Sequence, residues 1–200
     1  MAMPQDAGPE LDDAALLAAT ARGDRAAACR LTDRLLPVVY AHAVRLLGDA
    51  AEAEDVAQEA MLRLWRVAPE WRAGEAKVTT WLYRVTANLC IDRQRRTARP
   101  GPGGALALDR VPEPADTRPG AEAALQETAR AEALQAALAT LPPRQRQAVV
   151  LRHIEGLGNA EIARIMEIGP EAVESLTARG KRALARSLSG RRDALGYRDE

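Results

Sequence analysis

The sequence contains no phenylalanine and only two cysteines, and aromatic residues make up 3% of its 200 positions. Strands are enriched in β-branched and aromatic residues, so a hydrophobic fraction supplied mainly by Ala and Leu favours helices. Cys29 and Cys90 lie far apart and form no CxxC or Cys/His cluster, which gives no support for a disulfide framework or a zinc site. We expect both thiols to be buried and unreactive, in a reducing compartment. The composition therefore predicts an all-α fold.

Long hydrophobic runs and a net charge are also missing. No stretch approaches the roughly eighteen apolar residues of a membrane-spanning helix, and the acidic N-terminus does not resemble a signal peptide, so we expect a cytoplasmic protein without membrane insertion. The 28 basic and 28 acidic residues are unevenly distributed. Residues 49–59 hold five acids and no base, whereas residues 79–99 and 171–192 each carry a net charge of +4. This distribution predicts at least two kinds of partner, one of them polyanionic.

A segment rich in proline and glycine divides the chain. Residues 100–124 contain five prolines and four glycines and have no apolar periodicity, which is typical of a flexible linker. We therefore predict two small helical domains, residues 10–98 and 125–190, joined by a linker over residues 99–124. The alternative is one domain with a long surface loop.

Helical periodicity predicts four helices in each domain. In the first domain Asp24 and Asp49 are predicted N-caps, Gly48 a C-cap and Pro69 a helix end, which gives helices over residues 11–21, 24–47, 49–67 and 79–97. In the second, Pro143 suits a first turn, and the helices cover residues 121–140, 144–155, 159–167 and 171–188. A three-residue turn precedes the last helix, as in a helix-turn-helix.

The third predicted helix has a second surface besides its apolar stripe. A leucine and a tryptophan framed by polar residues resemble the anchor and rim of a protein-binding hot spot. The residues of this surface are Asp55, Gln58, Glu59, Leu62 and Trp65. The alternative is that both surfaces are buried in a helical bundle.

The fourth predicted helix combines aromatic and basic residues. Trp65, Trp71, Trp81 and Tyr83 come just before a cluster of arginines. Aromatic rings stack on unpaired bases and arginines hold phosphates, so the pattern indicates single-strand binding. Tryptophans that only fill a core are the alternative. The outer face of this helix carries Lys77, Trp81, Arg84, Asn88, Asp92 and Arg95.

The last predicted helix has the pattern of a recognition helix. Residues near its start are placed to reach base edges and later ones to meet phosphates. We predict that Glu174, Ser175 and Arg179 read bases and that Ala178 contacts a thymine methyl. A solvated charged face is the alternative. Its outward residues are Glu171, Glu174, Ser175, Ala178, Arg179, Lys181 and Arg182.

Nothing in the sequence indicates catalysis. Neither His42 nor His153 has a Ser, Cys or carboxylate at a motif spacing, and no Gly-rich phosphate loop follows a strand. We therefore expect a protein that is not an enzyme and that uses no cofactor or metal.

Two long segments resemble regions 2 and 4 of the bacterial sigma-70 family. Region 2 is matched by AEAEDVAQEAMLRLW and TTWLYRVTANLCIDRQRR, and region 4 by LPPRQRQAVVLRHIEGLGNAEIARIMEIGPEAVESLTARGKRAL. A linker placed directly between them resembles the compact extracytoplasmic-function (ECF, group 4) sigma factors. The resemblance implies a transcription initiation factor, whose partners are RNA polymerase core, promoter DNA and an anti-sigma factor.

The resemblance also implies roles for the surfaces described above. The third helix would bind the coiled coil of the largest polymerase subunit through Asp55, Gln58, Glu59, Leu62 and Trp65, and region 4 would bind the flap. The last helix would read the −35 element as duplex. Contacts to a melted −10 element would come from Trp71, Lys77, Trp81, Arg84, Asn88, Asp92, Arg93 and Arg96.

The chain departs from the family pattern in a few places. Glu174 stands where Lys or Arg is frequent, and it would accept from a cytosine amine instead. Two other functions fit some of the residues: a helix-turn-helix regulator of duplex DNA, and a sigma mimic that titrates an anti-sigma factor. The Trp81, Arg84 and Asn88 stripe favours the sigma factor, because neither alternative needs a face for melted DNA.

Overall fold

The protein is all-α over the residues that its computed structural model describes, namely 12–72, 74, 76–97 and 121–189. A 3-10 turn over Ala68–Glu70 follows the third helix, and a π turn over Val150–Ile154 follows the sixth. The predicted linker lies outside the described residues except for 121–124. None of the helices in these ranges is long and apolar enough to cross a bilayer. The helices are α1 (Asp13–Ala21), α2 (Arg25–Leu47), α3 (Ala50–Val67), α4 (Val78–Thr97), α5 (Ala121–Ala139), α6 (Pro143–Val149), α7 (Asn159–Met166) and α8 (Pro170–Ser189).

Short-range signals set the helix ends in the N-terminal half. The Asp24 carboxylate accepts from the Ala27 N–H at 3.1 Å, and the Asp49 carboxylate accepts from the Glu52 N–H at 2.9 Å. Gly48 ends α2 in the left-handed region at φ 78°, where a side chain would be strained. These three predicted caps are confirmed.

The N-terminal half is a bundle of α1 to α4 around an aliphatic core. The predicted inward stripe of α3 is buried at Val56, Ala60 and Leu64, and that of α4 at Leu82 and Leu89. Several fully buried leucines fill the centre of this core. They include Leu16, Leu17, Leu31, Leu35, Leu64 and Leu82.

The predicted single helix over residues 144–155 is wrong in its second part. The α-helix ends at Val149, and the chain continues as the π turn Val150–Ile154. A π turn holds more residues than an α turn. Burial is continuous from Arg146 to Leu151, across the end of the α-helix and the start of the π turn, because other elements surround this segment.

The two halves of the chain share hydrophobic core. Leu138, Leu141 and Val150 belong to the same buried cluster as the residues of α2, α3 and α4. Tyr83 of α4 in turn lies in the apolar cluster of the C-terminal half, together with Leu151 and other residues. The halves therefore pack directly against each other in this conformation.

Polar side chains of the C-terminal half close the end of α2. The buried Arg146 guanidinium donates to the Leu46 carbonyl, and also to the Ala139 carbonyl at 2.7 Å. Gln135 donates to the Val44 carbonyl at 3.0 Å. The last carbonyls of a helix lack partners within the helix and attract positive charge. The Arg146 guanidinium therefore binds at a helix end that favours a cation.

Replacing Gly180 by Ala is expected to lower the free energy of unfolding by about 1–3 kcal/mol. An added Cβ would lie 2.4 Å from Val149 Cγ2 and 3.3 Å from the Gln145 carbonyl oxygen, so α6 and α8 would have to separate. This cost outweighs the gain in helix propensity of about 1 kcal/mol. Urea unfolding followed by circular dichroism measures the change. Gly169→Ser is the control, since nothing lies within 4 Å of that position; equal stability of Gly180→Ala and wild type would contradict the predicted clash.

Candidate nucleic-acid and polymerase-binding surfaces

The outer face of α3 presents an apolar residue within a polar surround. The Leu62 side chain is 50% exposed, whereas Trp65 packs partly against the core. Asp55 and Gln58 are exposed, and Glu59 is half-buried. An open groove of about 370 Å³ runs beside these residues between α3 and α4. The prediction that a second surface of α3 faces outward is confirmed for Asp55, Gln58 and Leu62.

Arginines pair with the acids of this face. Arg93 of α4 donates to Glu52 and, at 3.1 Å, to Asp55, which raises the pKa of its guanidinium. Arg63 donates to Glu59 at 2.8 Å and holds the pKa of that carboxyl below its ordinary value. Arg93 was assigned to the −10 surface by the resemblance, but its hydrogen bonds connect it to the acids of α3.

A second surface lies along α4. Lys77, Asn88, Asp92 and Arg96 are exposed, whereas Trp81 and Arg84 are half-buried. The rings of Trp71 and Trp81 meet edge to face with centroids 6.1 Å apart. Trp71 packs against the core, and its buried Nε1 has no hydrogen-bond partner among the described residues. Trp81 is also half-buried and packs against the same core.

Acidic residues of α7 lie against the α4 surface. Glu161 accepts from the Thr80 hydroxyl at 2.7 Å, and its carboxylate is 3.7 Å from the Lys77 ammonium. Glu167 pairs with Arg84 at 3.4 Å. Sequence reasoning missed Thr80, Glu161 and Glu167, because the two helices are about eighty positions apart and no local pattern connects them.

A buried polar cluster joins the halves beside this surface. Glu155 follows the π turn, and one of its oxygens is 3.3 Å from His42 Nδ1 and 3.1 Å from Arg45. Its other oxygen accepts from the Tyr83 hydroxyl at 2.9 Å. The Tyr83 and His42 rings are also in edge contact, with centroids 4.8 Å apart. No pattern along the chain predicted this cluster, since its members come from three separate elements.

The cluster is arranged for an ionised Glu155 and a neutral His42. Burial is the main cause that lowers the pKa of His42, although Glu155 opposes the shift. Burial acts against ionisation of Glu155, but hydrogen bonds from His42 and Tyr83 and the charge of Arg45 outweigh it and lower the pKa of this carboxyl. Burial also raises the pKa of Tyr83, which keeps its hydroxyl protonated as a donor. A neutral His42 with its proton on Nδ1 can donate to Glu155, and its buried Nε2 has no partner in the described part of the chain.

The free energy of unfolding is expected to fall as the pH decreases from about 7 to 5. The unfolded chain takes up a proton at His42 near its ordinary pKa of 6.5, whereas the folded chain resists protonation until lower pH. The lowered pKa of Glu155 extends the loss to more acidic solutions, because unfolded Glu155 binds a proton first. Denaturant unfolding at several pH values measures this slope.

A histidine substitution tests the origin of that slope. His42→Gln keeps an N–H donor but does not titrate, so its stability should change less between pH 7 and 5 than that of wild type. His153→Gln is the comparison, because the pKa of His153 is also lowered, by burial, Lys181 and Arg152, and its removal shows the part of the slope that does not come from His42. A wild-type slope in His42→Gln would contradict the assignment.

The helix-turn-helix presents its predicted recognition surface to solvent. α7 ends with Glu167 in the left-handed region at φ 53°, and α8 begins at Pro170. Val173 and Gly180 face the core as predicted. Glu174 accepts from the Asn159 amide at 3.1 Å, which connects the two helices. The predicted −35 residues are all exposed: Glu171, Glu174, Ser175, Ala178, Arg179, Lys181 and Arg182.

The cysteines behave differently from each other. Cys90 is buried and burial raises its pKa to about 12, which suppresses its thiolate as expected. The prediction of a buried thiol is wrong for Cys29, which is exposed on α2 because Ala27 and Leu31 take the inward positions there. Within the described ranges, no group of three or more His, Cys, Asp or Glu residues could hold a metal ion.

Comparisons with known proteins agree on one family. The family described as sigma-70 region 2 matches residues 31–100, and sigma-70 region 4 matches residues 131–184. The ECF RNA polymerase sigma factor SigM of Mycobacterium tuberculosis H37Rv is 36% identical over 179 residues, which cover 90% of this chain and 86% of SigM. SigW of Bacillus subtilis, another ECF sigma factor, is 30% identical over 84% of this chain and 91% of its own length.

Solved structures share the fold. CnrH, solved in complex with the cytosolic domain of CnrY, superposes with a TM-score of 0.63 and is 24% identical in sequence. The match covers 89% of this chain and 97% of the CnrH chain. The sigma factor RpoE, solved with the anti-sigma factor NepR from Bartonella quintana, matches 80% of this chain and 95% of its own with a TM-score of 0.59 at 19% identity. At these identities the likeness concerns the helical architecture alone.

Proposed function

Because the chain belongs to the ECF sigma factors of the sigma-70 family, we propose that its three exposed surfaces divide the work of promoter-directed initiation. The outer face of α3 binds the polymerase core, α4 binds the melted −10 element, and α8 reads the −35 duplex. The protein acts in the cytoplasm as a non-catalytic factor without a cofactor. Its functional units are residues 10–98 and 125–190, connected by residues 99–124.

The α4 surface carries this proposal. Trp81 has a partly exposed ring, and Lys77, Arg84 and Asn88 lie on the same helix face or directly before it. A base that leaves the duplex needs a ring to stack on, and its backbone needs positive charge. A reader of duplex DNA also needs the positive charge but not the stacking ring, so Trp81 favours initiation over the action of a helix-turn-helix regulator.

The α8 surface supplies the second DNA contact. A helix in the major groove reads base edges with the residues near its N-terminus, here Glu174, Ser175 and Arg179. Glu174 accepts hydrogen bonds only, which suits a cytosine amine. Lys181 and Arg182 follow, and we assign them to phosphates. The polymerase flap is the further partner of this half.

Control by an anti-sigma factor is part of the proposal. RpoE was solved with such a factor, and CnrH with the cytosolic domain of CnrY. Leu62 and Leu134 are apolar residues exposed on α3 and α5. A protein that covered α3 would compete directly with the polymerase core for the same side chains.

Core-dependent transcription tests the proposed function. Purified protein is added to sigma-free RNA polymerase on a library of bacterial promoters, and the transcripts are sequenced. We expect discrete starts with shared −10 and −35 motifs upstream. Tight binding to core or to an anti-sigma factor without initiation would instead support a sigma mimic, and binding to duplex DNA alone would support a regulator.

A further inference from the structure

The C-terminal half occupies the cationic groups that melted DNA would need. Lys77 and Arg84 face the carboxylates of Glu161 and Glu167, and Thr80 donates to Glu161. A carboxylate on a lysine or arginine uses the same donors as a phosphate oxygen. α7 and a DNA strand therefore compete for one side of α4.

The other two proposed surfaces remain accessible in this conformation. Leu62 on α3 is half exposed, and the reading residues of α8 are exposed. The contact between the halves thus places the acids Glu161 and Glu167 against Thr80 and Arg84 in the single-strand surface, while Lys77 and Asn88 keep exposed side chains. Polymerase binding through α3 does not by itself require the halves to separate.

Glu155 has three polar contacts across this junction, and unlike those of Arg146 and Gln135 all of them are to side chains. Its side chain is 10% exposed and lies within hydrogen-bond distance of His42, Arg45 and Tyr83, all from the N-terminal half. Glu167, in contrast, is 71% exposed and has one partner at 3.4 Å. Hydrogen bonds to a buried charge contribute more than exposed ion pairs, which water and salt screen.

We propose that Glu155 holds the chain in a closed state in which acids of the C-terminal half occupy part of the −10 surface, and that single-stranded DNA binds this surface tightly only after the halves separate. The proposal rests on the −10 role assigned to α4. Apolar contacts of Leu138, Leu141 and Val150 favour closure in a non-directional way. Glu155 adds directional contacts between side chains, since only the closed arrangement brings it to His42, Arg45 and Tyr83. Ligands that bind the open state shift the population toward it.

Replacing Glu155 by Leu separates this proposal from a merely structural role. Leucine has similar bulk but no acceptor, so closure would leave His42, Arg45 and Tyr83 without their partner. We expect about tenfold tighter binding of a fluorescent pool of short random single-stranded DNA by the full chain. The radius of gyration in small-angle X-ray scattering should rise as well. Glu167→Leu, the same change at an exposed position, should stay within about twofold of wild type.

A gentler substitution protects the test against misfolding. Tyr83→Phe removes one hydroxyl that donates to Glu155 at 2.9 Å and leaves the ring in place. It should give a smaller gain in DNA affinity, about threefold, with an unchanged far-ultraviolet circular dichroism spectrum.

The two readouts keep the proposals distinct. Unchanged DNA affinity and unchanged radius of gyration in both Glu155→Leu and Tyr83→Phe would overturn the closed state held by Glu155. A larger radius without any DNA binding would support the closed state but contradict the −10 role of α4. Normal transcription with no change in either variant would leave the proposed function intact and reject Glu155 as the residue that holds the halves together.

Discussion

Replacing Leu62 by Asp is expected to weaken binding to RNA polymerase core by about thirtyfold or more. Leu62 is a large apolar side chain that α3 leaves 50% exposed, in a surround of charged and polar residues. Such a residue contributes to binding when a partner removes it from water, and an aspartate there would have to be buried unpaired. Its neighbours Asp55 and Glu59 would add repulsion. Fluorescence anisotropy with labelled protein and sigma-free core measures the affinity.

A matched control addresses the general effect of a new charge. Val38 is an apolar residue of α2 with 36% exposure, and it lies outside the three proposed surfaces. Val38→Asp should bind core like wild type. Both variants should unfold at similar denaturant concentration, since both sites are solvent-exposed. If Leu62→Asp bound core as tightly as Val38→Asp, α3 would not be the principal core-binding surface.

Replacing Trp81 by Leu is expected to reduce open-complex formation by about tenfold to a hundredfold. Trp81 is half-buried, so leucine retains part of its packing against the core, but the aromatic surface on which a base stacks is lost. The Trp81 ring also makes an edge contact with Trp71, with centroids 6.1 Å apart. Permanganate reactivity of unpaired thymines at a promoter found by the transcription experiment measures opening.

The Trp81→Phe variant separates stacking from folding. Phenylalanine supplies a stacking face, so this variant should recover most of the opening that Trp81→Leu loses. Core binding and −35 duplex binding should be unchanged in both variants, because α3 and α8 are not altered. Equal opening by Trp81→Leu and wild type would remove Trp81 from the −10 surface.

Local patterns in the sequence were sufficient for most of the secondary structure. Asp24 and Asp49 cap helices because their side chains bond to backbone N–H groups three positions later, a contact that sequence spacing alone fixes. The same holds for Gly48, whose left-handed conformation follows from its place after an apolar helix. The π turn was not predictable in this way, since burial of Val149, Val150 and Leu151 depends on elements that surround them on several sides.

The sequence was less informative about which surfaces are free. It predicted an outward face of α4, which is exposed at Lys77, Asn88, Asp92 and Arg96, but it could not show that Glu161 and Glu167 lie against that face. It also predicted Cys29 to be buried, although the register of α2 turns this residue outward. The resemblance placed Arg93 among the residues that bind the −10 element. In the structure Arg93 donates hydrogen bonds to Glu52 and Asp55.

Three properties could be predicted from the amino-acid sequence: the helical fold, the family that the chain resembles, and the helix faces that carry apolar, aromatic or basic residues. The helices and their faces depend on residues a few positions apart, and the resemblance depends on long matching segments. Both can therefore be recognised from the sequence. Only the tertiary structure decided that Glu155 meets His42, Arg45 and Tyr83 and that α7 lies on α4. These contacts join residues 72 to 113 positions apart. No local spacing encodes them, because they depend on how the two halves pack, and burial then strengthens their hydrogen bonds.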